Sequence, residues 1–248
     1  MFPKLTPINK NIIIACAVLY VISNFVETPD LYQLLSAYYP QSPNFHSWQI
    51  ITHMFMHAPM GEGIGITHIL FNMLTLWSFG PVLEQSFGSK KFSILYFASG
   101  LGAFVLFNLW NFYGIHQLSE TLTSQGIDIS EIYRMANLDY GDVQEFQNNP
   151  YSDKAQLFWN LRSPMLGASG AIFGVVSAFS TLFPEAKLMF MFVPFPIKAK
   201  YLFPIIIIVS LFLGFNGQIM GNIAHFAHIG GAVVGFLIAL SWKKRRFY

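Results

Sequence analysis

An all-α membrane protein with six transmembrane helices is the fold class this sequence predicts, and three observations predict it. Charged residues make up only 10% of the 248 residues and apolar ones 54%, where a soluble domain carries roughly 25% charge. Mean hydropathy is +0.47. Uncharged apolar runs recur at residues 11–26, 64–83, 92–112, 166–183, 201–221 and 222–242, most of them near the ~20 residues a helix needs to cross the hydrocarbon core.

The first run is the shortest, so Lys10 or Asn11 snorkels to the interface. Lys4 and Lys10 before it also fit a signal peptide, but no clear A-x-A cleavage site follows and a retained helix is expected. Residues 27–63 form an outer loop without Lys or Arg and rich in aromatics (Tyr38, Tyr39, Phe45, Trp48, Phe55). Such a loop packs on the bundle or lies in the outer interface. After the second and third spans, residues 114–164 form a long, acidic outer loop, read as an insertion: a small helical hairpin or a partly disordered segment. The fifth and sixth spans adjoin through a tight, glycine-rich turn at 214–221. With Lys4 and Lys10 inside, six crossings also place Lys90, Lys91, Lys187, Lys198, Lys200 and the tail Lys243-Lys244-Arg245-Arg246 inside. Arg134, Lys154 and Arg162 alone fall outside, so the cation bias supports both the span count and cytoplasmic termini. One membrane domain over 1–248 is expected, with no internal repeat. The net charge of +2 comes from these inner clusters and is read as topology and not as nucleic-acid binding. The single cysteine, Cys16, lies within a span and has no intrachain partner.

No span carries Asp, Glu, Lys or Arg in its interior. That argues against a proton- or ion-coupled pump, which buries ionisable relays, and against an intramembrane aspartyl protease. His53 and His57 have the spacing of H-E-x-x-H, but Met54 stands where the glutamate belongs. No metal and no cofactor is expected.

The polar residues left in the spans form a short set. His68 and Asn72 lie four apart on one face of the second span. Ser169 opens the fourth. His225 and His228 lie three apart in the sixth. Spans two, four and six each start outside, so all of these groups sit toward the outer leaflet. Singly, such residues are ordinary interhelical hydrogen-bonders; together at one depth they outline a site. A serine hydroxyl becomes a nucleophile when an imidazole takes its proton, and His228 is the candidate base for Ser169. The two helices must approach closely, and Gly170-x-x-x-Gly174 with Gly231-x-x-x-Gly235 allows this. At a helix start, Ser169 has free N–H groups and the positive dipole end beside it; His68 and Asn72 add side-chain donors for an oxyanion. Gly167-Ala-Ser169-Gly170 is similar to the G-x-S-x-G elbow, but Ala171 replaces the last glycine and no strand precedes it.

From Trp48 onward the chain resembles the rhomboid intramembrane serine proteases. The resemblance rests on His68-Ile-Leu-Phe-Asn72, on Gly167-Ala-Ser169-Gly170 with Phe173-Gly174, and on Ala227-His228-Ile-Gly-Gly231 with Gly235; residues 84–88 match the family's cytoplasmic loop. It implies a six-helix rhomboid bundle in a bacterial inner membrane, and a Ser169–His228 dyad without an aspartate. It also implies an oxyanion hole of His68, Asn72 and the Ser169 N–H, and a Phe173 ring stacked on the histidine. The substrates it implies are single-pass transmembrane proteins in the lipid bilayer, cut near the outer boundary. His225 is read as a packing or supporting residue and His57 as structural. Three departures mark this chain. Trp48 is followed by Gln49 where the family usually has arginine, residues 58–67 are long and glycine-rich (Gly61, Gly63, Gly65), and 114–164 is enlarged. The rival reading is a non-catalytic rhomboid-like protein that binds membrane clients; such relatives lack the serine or histidine kept here.

Overall fold

The computed structural model describes residues 3–61, 65–189, 195–215 and 223–244, and the described chain is mostly helical. Helix α1 (Pro7–Phe25) starts on a proline, whose fixed φ and missing N–H suit the first turn. The next two N–H groups, of Ile8 and Asn9, donate at 3.0 Å to the carboxylate of Glu84. That carboxylate also accepts from the Thr6 and Ser89 hydroxyls.

After α1, the outer loop holds two short helices, α2 (Leu31–Leu35) and α3 (Gln49–Thr52). It packs on the bundle: Tyr38, Tyr39, Met54 and Met56 are buried, while Trp48 is exposed at 46%. Helix α4 (Gly65–Phe87) runs four residues past the expected span end, so Glu84 is a buried helical residue rather than part of a loop. Gly88 ends it at φ +85°, a conformation glycine adopts without steric cost.

Helix α5 (Ser89–Ser124) has 36 residues, about 54 Å at ~1.5 Å per residue against a hydrocarbon core of roughly 30 Å. The outer loop expected from residue 114 is thus helix as far as 124. Beyond it come α6 (Ile129–Met135), α7 (Gln144–Asn148) and α8 (Asp153–Arg162), with Asp128 and Ser152 capping α6 and α8. Neither a hairpin nor a disordered segment, this insertion has its own apolar core, in which Ile132, Phe146, Phe158 and Leu161 meet Ile115 and Leu122 of α5. The Phe146 and Phe158 rings stack at 3.8 Å.

Helix α9 (Ser169–Leu182) leads to a small hairpin in which β1 (Lys187–Leu188) pairs antiparallel with β2 (Ile197–Lys198). Helices α10 (Leu202–Phe215) and α11 (Ile223–Lys244) follow; most of the turn expected at 214–221 lies outside the described residues, as do Arg245 and Arg246. Among the described residues, four helices are long and apolar enough to cross a membrane: α1, α4, α5 and the 225–243 stretch of α11. α9 and α10 are shorter apolar helices.

Helix α11 packs most extensively on α9 and α5, and small residues make this possible. A Cβ on Gly231 or Gly235 would run into the carbonyls of Gly170 or Gly174 on α9, and one on Gly230 into Gly102 of α5. Backbones touch, which is the packing that membrane helices favour in the absence of a hydrophobic drive. The start of α1, the α4–α5 junction and the end of α11 meet at one end, where the Lys91 ammonium lies 5.8 Å from the Trp242 ring. Ser169 at the start of α9, His68 in the first turn of α4 and His228 in the second turn of α11 lie toward the other.

Candidate active site

The strand-like segment before α9 is tied to the outer loop. Ala37 and Met165 exchange backbone hydrogen bonds of 2.9 and 2.6 Å, and the Gly167 N–H donates to His53 O at 3.0 Å. Gly167 has φ +123°. A side chain there would be strained and would also press on the His68 ring, whose Cε1 lies 3.1 Å from where a Cβ would stand. The glycine therefore turns the chain sharply into α9 and leaves room for an imidazole beside the turn.

Ser169 is the first residue of α9, half-buried, with its Oγ 2.9 Å from His228 Nε2 on α11. The amides of this first turn have no intrahelical acceptor. The His228 ring stacks on Phe173, one turn into α9, at 4.2 Å and 17°. Among the described residues no carboxylate bonds this imidazole; the aromatic face and the serine orient it. His225 meets it edge-on at 6.1 Å. Gly170, Gly174, Gly231 and Gly235 form the contact that sets the Ser169–His228 distance.

From α4, His68 reaches the Gly167 turn, and Asn72 sits one turn deeper on the same face, buried at 8% exposure. His68 Nδ1 and Asn72 Nδ2 are buried without a partner. A donor in that condition is costly unless something accepts from it. The structure thus brings Ser169, His228, Phe173 and His68 together, with Asn72 on the adjoining face of α4.

Two features were not legible in the sequence. His57 lies with its ring 5.3 Å from that of His68, buried, and neither of its nitrogens is bonded. His53 turns instead toward Phe104 at 5.9 Å, so the H-x-x-x-H pair diverges; among the described residues no three His, Cys, Asp or Glu gather as metal ligands. Burial holds both imidazoles down, to a pKa of about 4 in each case. The second feature is Gln49, fully buried and bonded through its side chain to several backbone groups of the loop. Of the glycines at 58–67, Gly65 lies against the Pro59 carbonyl and Gly61 faces open space, while Gly63 is outside the described residues.

A bundle of apolar helices with a hydroxyl–imidazole pair at one end of its tightest contact defines a class of membrane protein, and comparison with known families identifies it. The Rhomboid domain model matches residues 44–118 and 148–245, and the chain belongs to the rhomboid family. The unmatched 119–147 covers the end of α5, all of α6 and most of α7. Rhomboid protease GluP of Bacillus subtilis is 28% identical over 192 residues, 77% of this chain and 25% of that protein. Rhomboid protein 1, mitochondrial, of Saccharomyces cerevisiae is 31% identical over 172 residues, 68% of this chain and 36% of that protein. Rhomboid protease GlpG of Salmonella typhi is 28% identical over 95 residues, 38% and 32% of the two chains. The chain thus spans between 25% and 36% of the length of these relatives.

Proposed function

We propose that the chain is an intramembrane serine endopeptidase that cuts transmembrane protein substrates near the outer boundary of the membrane. The observation that carries this reading is the 2.9 Å contact between Ser169 Oγ and His228 Nε2. Ser169 Oγ attacks the scissile carbonyl carbon as its proton passes to His228 Nε2. The carbonyl oxygen takes up the charge and accepts from the Ser169 N–H and from the His68 and Asn72 side chains, each such donor contributing about 10²–10³ in rate. His228 then protonates the leaving amine, and the C–N bond breaks. A water, deprotonated by the same imidazole, attacks the acyl carbon; the ester bond breaks and the proton returns to Ser169.

Six crossings, one membrane domain and cytoplasmic termini belong to this reading, with α9 and α10 as the short spans. Fourteen residues of α9 cover about 21 Å at ~1.5 Å each, less than the roughly 30 Å core. A helix that short starts below the membrane surface, which supports a site recessed from the outer face yet open to water. The relatives GluP and GlpG are named as proteases, which supports the reaction class.

The test is reconstitution with a labelled single-pass substrate in liposomes. Wild type is expected to cleave it, and Ser169→Ala and His228→Ala to lose at least 10³-fold. Cleavage that survives both substitutions overturns the dyad, and a wild type that cleaves nothing favours the client-binding alternative.

A further inference from the structure

We infer that the outer insertion braces the site, through Asn44 and Gln49 as positioning residues that hold the turn carrying the Ser169 N–H. The inference rests on the protease reading above and concerns how Ala136 and Leu138, in the stretch that the family model leaves unmatched, meet the matched outer loop.

The bonds form one continuous series. At the insertion end, Asn44 Nδ2 donates to Ala136 O at 2.9 Å and the Leu138 N–H donates to Asn44 Oδ1 at 2.9 Å. Arg162 stiffens the same stretch by donating to Leu138 O and Tyr140 O at 3.3 Å. Asn44 is buried at 7% exposure, so its amide has both its donor and its acceptor satisfied by the insertion backbone. At the loop end, Gln49 Nε2 donates to Asn44 O at 3.2 Å, and Gln49 Oε1 accepts from the His46 N–H at 3.0 Å. The Gln49 carbonyl then accepts from His53 Nδ1 at 2.7 Å, and the His53 carbonyl accepts from the Gly167 N–H at 3.0 Å. Two residues later comes Ser169, whose N–H and Oγ do the chemistry.

The Asn44, Gln49 and His53 side chains are buried, where hydrogen bonds are strong and a lost partner is not replaced by water; His46 is exposed and Leu138 half-buried. The chain at Gly167 is in a conformation that a free segment would leave readily, and its amide has this one acceptor. A small displacement of the Ser169 N–H weakens oxyanion binding more than substrate binding. The brace therefore acts on kcat.

The experiment measures cleavage of the reconstituted substrate and, separately, the rate at which a small fluorophosphonate labels the protein, for wild type, Asn44→Ala, Gln49→Ala, the double variant and Asn44→Asp. Asn44→Ala is expected to lower kcat about tenfold, the equivalent of one buried hydrogen bond, with KM within twofold, and to slow labelling in parallel. In the Gln49→Ala background the same change is expected to cost less than twofold, because the series is already broken. Asn44→Asp keeps the acceptor for Leu138 and the side-chain volume, and is expected to retain more activity than Asn44→Ala. Losses that multiply independently, or a loss confined to the protein substrate with unchanged labelling, overturn the brace. So does an Asn44→Ala enzyme equal to wild type. A wild type that neither cleaves nor labels instead overturns the protease reading on which the brace depends.

Discussion

Gly231→Ala asks whether helix contact sets the chemistry. A Cβ at Gly231 would stand 2.7 Å from the Gly170 carbonyl carbon and 3.3 Å from its Cα, with the oxygen closer still, where ordinary contact begins at 3.4 Å. The obstacle is backbone, not a side chain that can swing aside. Helix α11 must therefore withdraw from α9 by roughly 1 Å, a misplacement that can cost about 10² in rate. The Ser169–His228 distance then opens from 2.9 Å to about 4 Å, outside hydrogen-bond reach. Overpacking adds about 1–3 kcal/mol of destabilisation. Gly114→Ala is the contrast: nothing lies within 4 Å of a Cβ there, and the helix gains up to ~1 kcal/mol from propensity. Cleavage assays in liposomes with thermal melts in detergent read both quantities. A Gly231→Ala protein that cleaves within threefold of wild type and melts at the same temperature would refute the packing argument.

Three more outcomes follow from the same geometry. Glu84→Ala strands the amides of Ile8 and Asn9 beside the buried Thr6 hydroxyl, at about 1–3 kcal/mol per buried group; denaturation in mixed micelles should fall by ~3 kcal/mol or more, and a change under ~0.5 kcal/mol would contradict the capping role. Phe173→Ala removes the ring under His228, worth about 0.5–1.5 kcal/mol, so kcat should drop roughly tenfold or less with Ser169 still labelled; full activity would show that stacking is idle. His53 and His57 have folded pKa values near 4, below the ordinary 6.5. The unfolded chain therefore binds more protons between these pH values, and stability is full above pH 6.5 and lost as pH falls toward 4. Melting temperature should be flat from pH 7 to 8 and fall from pH 6.5 to 4, less steeply in His57→Gln; an identical pH profile in that variant would remove His57 from the account.

Legibility in the sequence followed the range of the interactions. Ser169, His228 and the Gly170/Gly174 and Gly231/Gly235 pairs could be read because helical spacing alone puts each on a definite face, and glycine at such spacing signals close approach. Glu84 was placed at a loop because the uncharged run ends at residue 83 and residues 84–88 resemble the family's cytoplasmic loop. What makes it helical is the start of α1, 75 residues earlier in the chain. Helix α5 passes Gly114 and runs outward to 124 because α6–α8 cover its end with Ile132, Phe146 and Phe158, contacts that local polarity conceals. Gln49 stood out only as a departure from the family's arginine; its role was not legible because its partners are backbone groups of a loop whose course only the fold determines.

The most direct measurement is incubation of the purified wild-type protein with a fluorophosphonate, followed by mass mapping of the adduct. A hydroxyl activated by an imidazole across the α9–α11 contact should carry the phosphonate on Ser169, and His228→Ala should abolish labelling without unfolding the protein. Label elsewhere in the chain, or undiminished label on Ser169 when His228 is gone, would contradict the account.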